Sequence, residues 1–169
     1  MLNSLPTDPL FKEQWWLFNT GQGVINNQVT PGTPGIDLNV VPLWPTYTGR
    51  GVKVQVLDDG VNADHKDLAR NYDRRIDQSD NIADGPLPNR EKDRSDDPDN
   101  HGTSVAGIIA AARNDTGTVG VAYEATIASH KFNTSLTSLQ SAVNFDISNN
   151  SWGGSSHFGF EDGNFKKFP

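Results

Sequence analysis

The chain has 169 residues, 34% of them hydrophobic, a formal net charge of −7 and no cysteine. That length suits one domain with a buried core, and the negative charge argues against nucleic-acid binding, which needs basic patches. The lack of cysteine excludes disulfides and thiolate chemistry, and no apolar run approaches the length of a membrane span.

The first fifty residues predict an irregular arm followed by surface loops. Trp15, Trp16 and Phe18 are expected to anchor the arm by packing onto the core. Residues 21–36, rich in Gly, Pro and Asn, are expected to form a surface loop, and residues 40–44 a short helix that ends at Pro45. Residues 51–169 then form an αβ core of the same domain, and this core carries the chemistry.

The core begins with a predicted buried strand over 52–57, bounded by Gly51 and Gly60. Asp58 and Asp59 follow it directly. In a parallel α/β sheet, functional groups lie where the strands end, at the carboxyl edge. Asp58 is therefore expected at that edge, as the first residue after the strand.

A long polar loop over 77–100 precedes a predicted helix over 101–112, which His101 opens. Small residues would allow the helix to lie close to neighbouring backbone (Gly102, Ala106, Gly107), and others form an apolar stripe (Val105, Ile108, Ile109, Ala112). The helix N-terminus disfavours an imidazolium, whereas a buried aspartate beside Nδ1 favours one. A histidine between these influences can accept a proton from a hydroxyl and return it.

The remaining pattern predicts a strand over 121–130, a helix over 135–144 and a strand over 145–151. Apolar strands that alternate with helices are typical of a parallel sheet with right-handed crossovers. The helix over 135–144 runs almost directly into the last strand.

Five segments, in this order, resemble the subtilisin-like serine proteases (subtilases). They are DPLFKEQWWL (8–17), YTGRGV (47–52), VQVLDDG (54–60), NHGTSVAGIIAA (100–111) and ISNNSWG (147–153). The doubled aspartate and the opening segment favour the kexin/furin-like side of the family and its bacterial relatives. The resemblance implies an α/β, three-layer fold with a mostly parallel sheet, of which this chain is the incomplete amino-terminal part.

The same resemblance implies a triad in which Asp58 orients the imidazole and His101 is the general base. The nucleophilic serine should lie in a later Gly-Thr-Ser-x-Ala helix, and the oxyanion-binding asparagine also beyond Pro169. Ser104 fits that pattern but lies three residues after His101 on the same helix, where it cannot reach the imidazole tip and face a substrate. The chain alone is therefore expected to be inactive.

Substrate binding is expected at the end of the last strand, where an extended peptide would add by main-chain hydrogen bonds to Ser151, Trp152 and Gly153. In kexin/furin-like relatives the residue that corresponds to Asp59 faces a basic substrate side chain. Those relatives follow the SWG with an acidic cluster, but this chain has Gly154-Ser155-Ser156-His157. Broad specificity is therefore favoured over strict cleavage after paired basic residues.

Calcium is the expected cofactor, because the family's high-affinity site draws oxygen ligands from distant segments. The corresponding positions here are Asp8, Asp67, Ala112, Asn114, Asp115, Thr116 and Thr118. Whether Asn114 or Asp115 is the ligand stays open. The polar loop over 77–100 contains Asp93, Asp96, Asp97 and Asp99. It could bind a second cation, border the substrate cleft or be a solvated acidic loop.

Three hypotheses follow. The first is a secreted or extracytoplasmic serine endopeptidase whose signal and propeptide lie upstream; its partners are a peptide or protein substrate and a propeptide or carboxy-terminal part. The second is a non-enzymatic, calcium-stabilised fragment that binds a peptide or partner. The third is a metal-dependent hydrolase that uses Asp58, Asp59, His65 and His101.

Overall fold

The computed structural model describes residues 5–22, 32–77, 100–131 and 144–151. Two short 3₁₀ helices, Phe11–Glu13 and Val41–Leu43, precede the core. The core elements are strand β1 (Lys53–Asp58), helix α1 (Asn100–Ala110), strand β2 (Thr126–Lys131) and strand β3 (Ile147–Asn149).

The predicted strand over 52–57 and helix over 101–112 are confirmed with small shifts, so Asp58 is the last residue of β1 instead of the first beyond it. The predicted strand over 121–130 begins only at Thr126, because residues 121–124 form a turn whose Ala125 N–H bonds to Ala122 O. The predicted helix over 135–144 lies outside the described residues except for Asn144.

The three strands form one parallel sheet in the order β2-β1-β3, as the alternation of strands and helices predicted. The register places Asp58 beside Lys131 and Val54 beside both Ile127 and Ile147. Since β1 is central and parallel to both neighbours, the carboxyl ends of all three strands lie at one edge. Asp58 stands at that edge.

Helix α1 packs on the sheet through its alanines. Ala106 and Ala110 are fully buried and join a core cluster with Val54, Val56 and Ile127.

Two residues of the predicted helix pattern are placed differently. Ile108 is 52% exposed, and a side chain at Gly107 would meet nothing within 4 Å, so neither contributes to close packing. The predicted apolar stripe is therefore too wide, because the buried residues on the helix face that packs against β1 and β2 are small.

A second cluster, formed by Phe11, Leu17, Trp44 and Val119, fixes the arm to the core. The side chain of Gln14 supports it by donating to Val119 O at 2.8 Å and accepting from Val119 N at 2.9 Å.

The predicted anchors of the arm are therefore partly wrong. Trp15 is 41% exposed, whereas Trp16 packs against the cluster. Phe18 is 40% exposed, but its ring stacks on Phe11 at a centroid distance of 6.5 Å. The buried anchors are Phe11 and Leu17.

Within the described residues, no helix has the length and apolarity to cross a membrane.

Candidate active site

Asp58 and His101 meet at the carboxyl end of β1. Asp58 ends the strand with its side chain 3% exposed, and His101 stands in the first turn of α1 with its side chain 59% exposed. His101 Nδ1 lies 2.7 Å from Asp58 Oδ1. Since an ionised carboxylate can only accept, Nδ1 is the donor and Nε2 is left as the basic nitrogen.

The electrostatics of this pair favour a protonated imidazole. The hydrogen bond to Asp58, followed by the charge of Asp58, raises the pKa of His101, and the charge of Asp59 acts in the same direction. Burial opposes the shift and outweighs the contribution of Asp59, but not that of Asp58. A base with an oriented, exposed Nε2 and a stabilised cationic form can take a proton from a hydroxyl.

Asp59 turns its carboxylate toward the start of α1. Its Oδ1 accepts the Gly102 N–H at 2.7 Å, and its Oδ2 accepts the His101 N–H at 3.2 Å. These are among the helix's first N–H groups, which have no partner within the helix.

Gly102 makes the close approach of α1 to β1 possible. A Cβ at this position would collide with the carbonyl oxygen of Gly60 and lie 2.9 Å from Asp58 Cβ. Thr103 adds a further tie, because its Oγ1 accepts the Asn62 N–H at 2.8 Å. The Gly102 contact was foreseeable from its small size, but the role of Thr103 has no signal in the sequence pattern.

The pair belongs to a chain whose sequence matches the profile of the subtilase family (Peptidase_S8) over residues 49–165. This chain belongs to the subtilase family. The resemblance drawn from the motifs is thereby confirmed, and so is the incomplete subtilisin-like α/β fold. Asp58 and His101 lie within the matched range.

Proteins with similar sequences and structures support the same family. The chain is 45% identical over 130 residues to "PC3-like endoprotease variant B" of Hydra vulgaris and 46% identical over 125 residues to neuroendocrine convertase 2 of Mus musculus. These alignments cover 74% and 72% of this chain but only 16% and 18% of the relatives. The crystal structure of the Aeromonas sobria serine protease matches 90% of this chain and 26% of that one, with a TM-score of 0.71 and 33% identity.

Strand β3 begins the segment ISNNSWG, which the sequence resemblance relates to substrate binding. Ile147–Asn149 pairs with β1, and Ser148 Oγ donates to Gln55 Oε1 at 3.0 Å. Ser151 is exposed just beyond the strand, and its Oγ accepts from Asn149 Nδ2 at 2.8 Å. Trp152 and Gly153 lie outside the described residues, so their predicted roles stay predictions.

The residues predicted for calcium do come together. Asp8 and Asp67 are each 3% exposed, and loop 112–118 wraps both. Asp8 Oδ1 accepts the Asn114 N–H at 2.9 Å and the Thr116 N–H at 3.3 Å, while Asp67 Oδ2 accepts the Thr118 N–H at 2.9 Å.

Each of these carboxylates also has a buried oxygen, Asp8 Oδ2 and Asp67 Oδ1, with no hydrogen-bond partner among the described residues. Buried, unpartnered carboxylate oxygens are the ligands that Ca²⁺ takes. The donor set therefore fits calcium.

The loop also bears on which of its two side chains is the better ligand. Asp115 is exposed, and its Oδ1 accepts a hydrogen bond from Thr7 Oγ1. Asn114 is half-buried, its backbone lies against Asp8, and its side chain bonds to Lys66 O at 3.1 Å. Ala112 is fully buried and its N–H bonds to Asp67 O at 2.7 Å.

The metal-hydrolase hypothesis requires His65 beside the pair. Among the described residues, Asp58, Asp59 and His101 form a group whose possible ligand atoms lie within 4.8 Å of one another, and His65 is not part of it. His65 Nδ1 instead accepts the Asp67 N–H at 3.3 Å. The four residues named for that hypothesis do not converge.

Proposed function

We propose that this chain supplies the aspartate and histidine of an Asp-His-Ser triad in a serine-type endopeptidase. The observation that carries the proposal is the 2.7 Å contact between Asp58 Oδ1 and His101 Nδ1, with the carboxylate buried and the ring exposed. Membership of the subtilase family supports the same reaction class.

Each residue has a distinct role in peptide-bond hydrolysis. His101 Nε2 removes the proton of the serine hydroxyl as the hydroxyl attacks the carbonyl carbon, and later gives that proton to the leaving amine. Asp58 fixes the ring and stabilises the imidazolium that forms in between. Ser104, exposed three residues after His101 on α1, is not the nucleophile.

The serine and the oxyanion-binding asparagine are proposed to come from a carboxy-terminal part of the catalytic domain, so the 169-residue chain alone is expected to be inactive. The chain spans less than a fifth of its curated relatives, which is compatible with such a division. The Aeromonas sobria protease has been crystallised in complex with a chaperone, ORF2. A propeptide or comparable folding partner is proposed for this chain.

The proposed substrate is an extended peptide that adds beside β3 toward Ser151. Within the described residues, β3 is an edge strand that pairs with β1, and main-chain hydrogen bonds beside the residues that follow it would hold the peptide. We propose a broad substrate range and a secreted or extracytoplasmic location, and both follow from the family pattern of the sequence.

Calcium is proposed as the structural cofactor. Asp8 and Asp67, together with loop 112–118, would hold it, and Asn114 is the better placed of the two candidate side chains. When bound, the ion would neutralise two buried carboxylates and tie the arm to the core.

The test is a chimera in which residues 5–151 replace the aligned segment of the Aeromonas sobria protease, whose own remainder supplies the serine. Peptide hydrolysis and fluorophosphonate labelling are expected. Asp58→Asn should lower kcat by about 10⁴-fold and His101→Ala by about 10⁶-fold. The free chain should show neither. A chimera that folds, by circular dichroism, yet turns over equally well without His101 would refute the proposal.

The second candidate, a calcium-stabilised binding fragment, is favoured by the two buried, unpartnered oxygens Asp8 Oδ2 and Asp67 Oδ1, which are of the type that Ca²⁺ binds. It predicts calcium-dependent peptide binding by the free chain. An inactive but folded chimera that still binds peptide would support this candidate over the first.

A further inference from the structure

Asp59 joins the start of α1 to the end of β1 across a wide gap in the sequence. Its two oxygens accept the N–H groups of His101 and Gly102, which lie 42 and 43 residues later. A carboxylate is favoured at a helix N-terminus because the unpaired N–H groups and the helix dipole are positive there. Asp59 thus caps a helix to which it is not adjacent in sequence.

The Asp59 cap belongs to a cyclic network of hydrogen bonds that joins Asp58, Asp59 and His101. Asp58 Oδ1 accepts both the Asp59 N–H at 2.8 Å and His101 Nδ1 at 2.7 Å. Asp58 therefore holds the imidazole of His101, and Asp59 holds its backbone. Any shift of α1 away from Asp59 would also stretch the Asp58–His101 contact.

We propose that Asp59 is a positioning residue, whose carboxylate holds the backbone of His101 so that the imidazole stays within hydrogen-bond distance of Asp58. Each of its oxygens accepts one helix N–H group, whereas the family resemblance relates this position to a basic substrate side chain. That this contact serves catalysis rests on the proposed function. The two hydrogen bonds between Asp59 and the backbone of His101 and Gly102, which we call the clamp, do not rest on it, and they can be tested without measuring activity.

The first test is hydrogen exchange and ring titration by NMR on the full 169-residue chain. Asp59→Ala removes both acceptor oxygens, so the Gly102 amide should exchange about fivefold faster, the size expected for a lost capping side chain. The pKa of His101 should fall, because a charge that raises it is removed. Asp59→Glu, which keeps both acceptors and the charge, should remain close to wild type.

Two controls separate the clamp from general effects. Asp64→Asn removes the same charge from an exposed ion pair with Arg74 and should leave both readouts unchanged. The Leu57 amide in β1 reports unfolding of the whole chain, so only exchange at Gly102 in excess of that at Leu57 counts. Unchanged exchange at Gly102 in Asp59→Ala, or equal effects of Asp59→Ala and Asp59→Glu, would overturn the proposal.

The chimera gives the catalytic consequence. Asp59→Ala should lower kcat for substrates with basic and with neutral side chains alike and leave KM nearly unchanged. A rise in KM confined to basic substrates would instead assign Asp59 to specificity. If the chimera is inactive with Asp59 intact, the proposed function fails, but the exchange result still decides the clamp.

Discussion

His101 Nδ1 lies 2.7 Å from Oδ1 of Asp58, and the two residues reach this contact from different elements, the first turn of α1 and the last position of β1. One partner is buried and the other is open to solvent. The buried side chain of Asp58 thus fixes one side of the imidazole, while the side that bears Nε2 is open to a substrate.

Asp58→Asn should lower the pKa of His101. The hydrogen bond to Asp58 is the largest contribution to its rise, and the charge of Asp58 the next. Because the folded-state pKa is raised, the contact stabilises the chain fully below the unfolded pKa of about 6.5 and loses this effect as pH rises through the folded pKa. Urea unfolding at pH 5 and pH 9 should show a larger loss of stability at pH 5, and an equal loss at both would contradict the assignment.

Gly102→Ala should lower the free energy of unfolding by about 1–3 kcal/mol, because its methyl group meets Gly60 O and the side chains of Asp58 and Asp59. Gly107→Ala is the matched control on the same helix, where a methyl group meets nothing. Helix propensity should make it stabilising by about 0.5–1 kcal/mol. Urea unfolding of both variants checks the pair, and effects of the same sign would contradict the close approach of α1 to β1.

Helix α1 shows how much of the candidate site could be predicted from the sequence. Strand β1, helix α1 and the motifs that carry Asp58 and His101 were predictable. An apolar strand, a helix with small residues and the family motifs are patterns of residues that lie close together in the sequence. The exposure of Ile108 and the openness beside Gly107 were not, because they depend on which face meets the sheet. That face is set by tertiary packing between segments far apart in the chain.

The two adjacent aspartates show the same limit. Their position after β1 was predictable, but the partner of Asp59 is the backbone of residues 101 and 102, which carries no residue-specific signal. The arm is a further case: DPLFKEQWWL offers several large apolar side chains, and the pattern gives no reason why Leu17 is buried while Trp15 is half-exposed.

Leu17→Ala should destabilise the chain by about 2–5 kcal/mol, since Leu17 is 1% exposed within the cluster that holds the arm. Leu10→Ala, on the same arm but 46% exposed, should change stability by about 0.5 kcal/mol or less. Thermal or urea unfolding measures both. Comparable losses would mean that the arm packs differently.

Calcium should raise the Tm of the chain by about 5–10 °C at a concentration of about 100 times Kd. The rise should disappear in Asp8→Asn and Asp67→Asn, because each variant removes a carboxylate with a buried, unpartnered oxygen. Asp64→Asn, at an exposed aspartate, should keep it. Chelation should also speed proteolysis within residues 5–20 and 112–118, and a cleavage pattern indifferent to chelator would remove the calcium site.

The measurement that tests the central claim most directly is the tautomer of neutral His101, read from the ¹⁵N shifts of its ring above its pKa. A carboxylate at 2.7 Å from Nδ1 requires the proton on Nδ1 and leaves Nε2 unprotonated, as a general base must be. The account predicts the Nδ1–H form in the wild type and its loss as the dominant form in Asp58→Asn. A wild-type ring that carries its proton on Nε2 would contradict the catalytic pair.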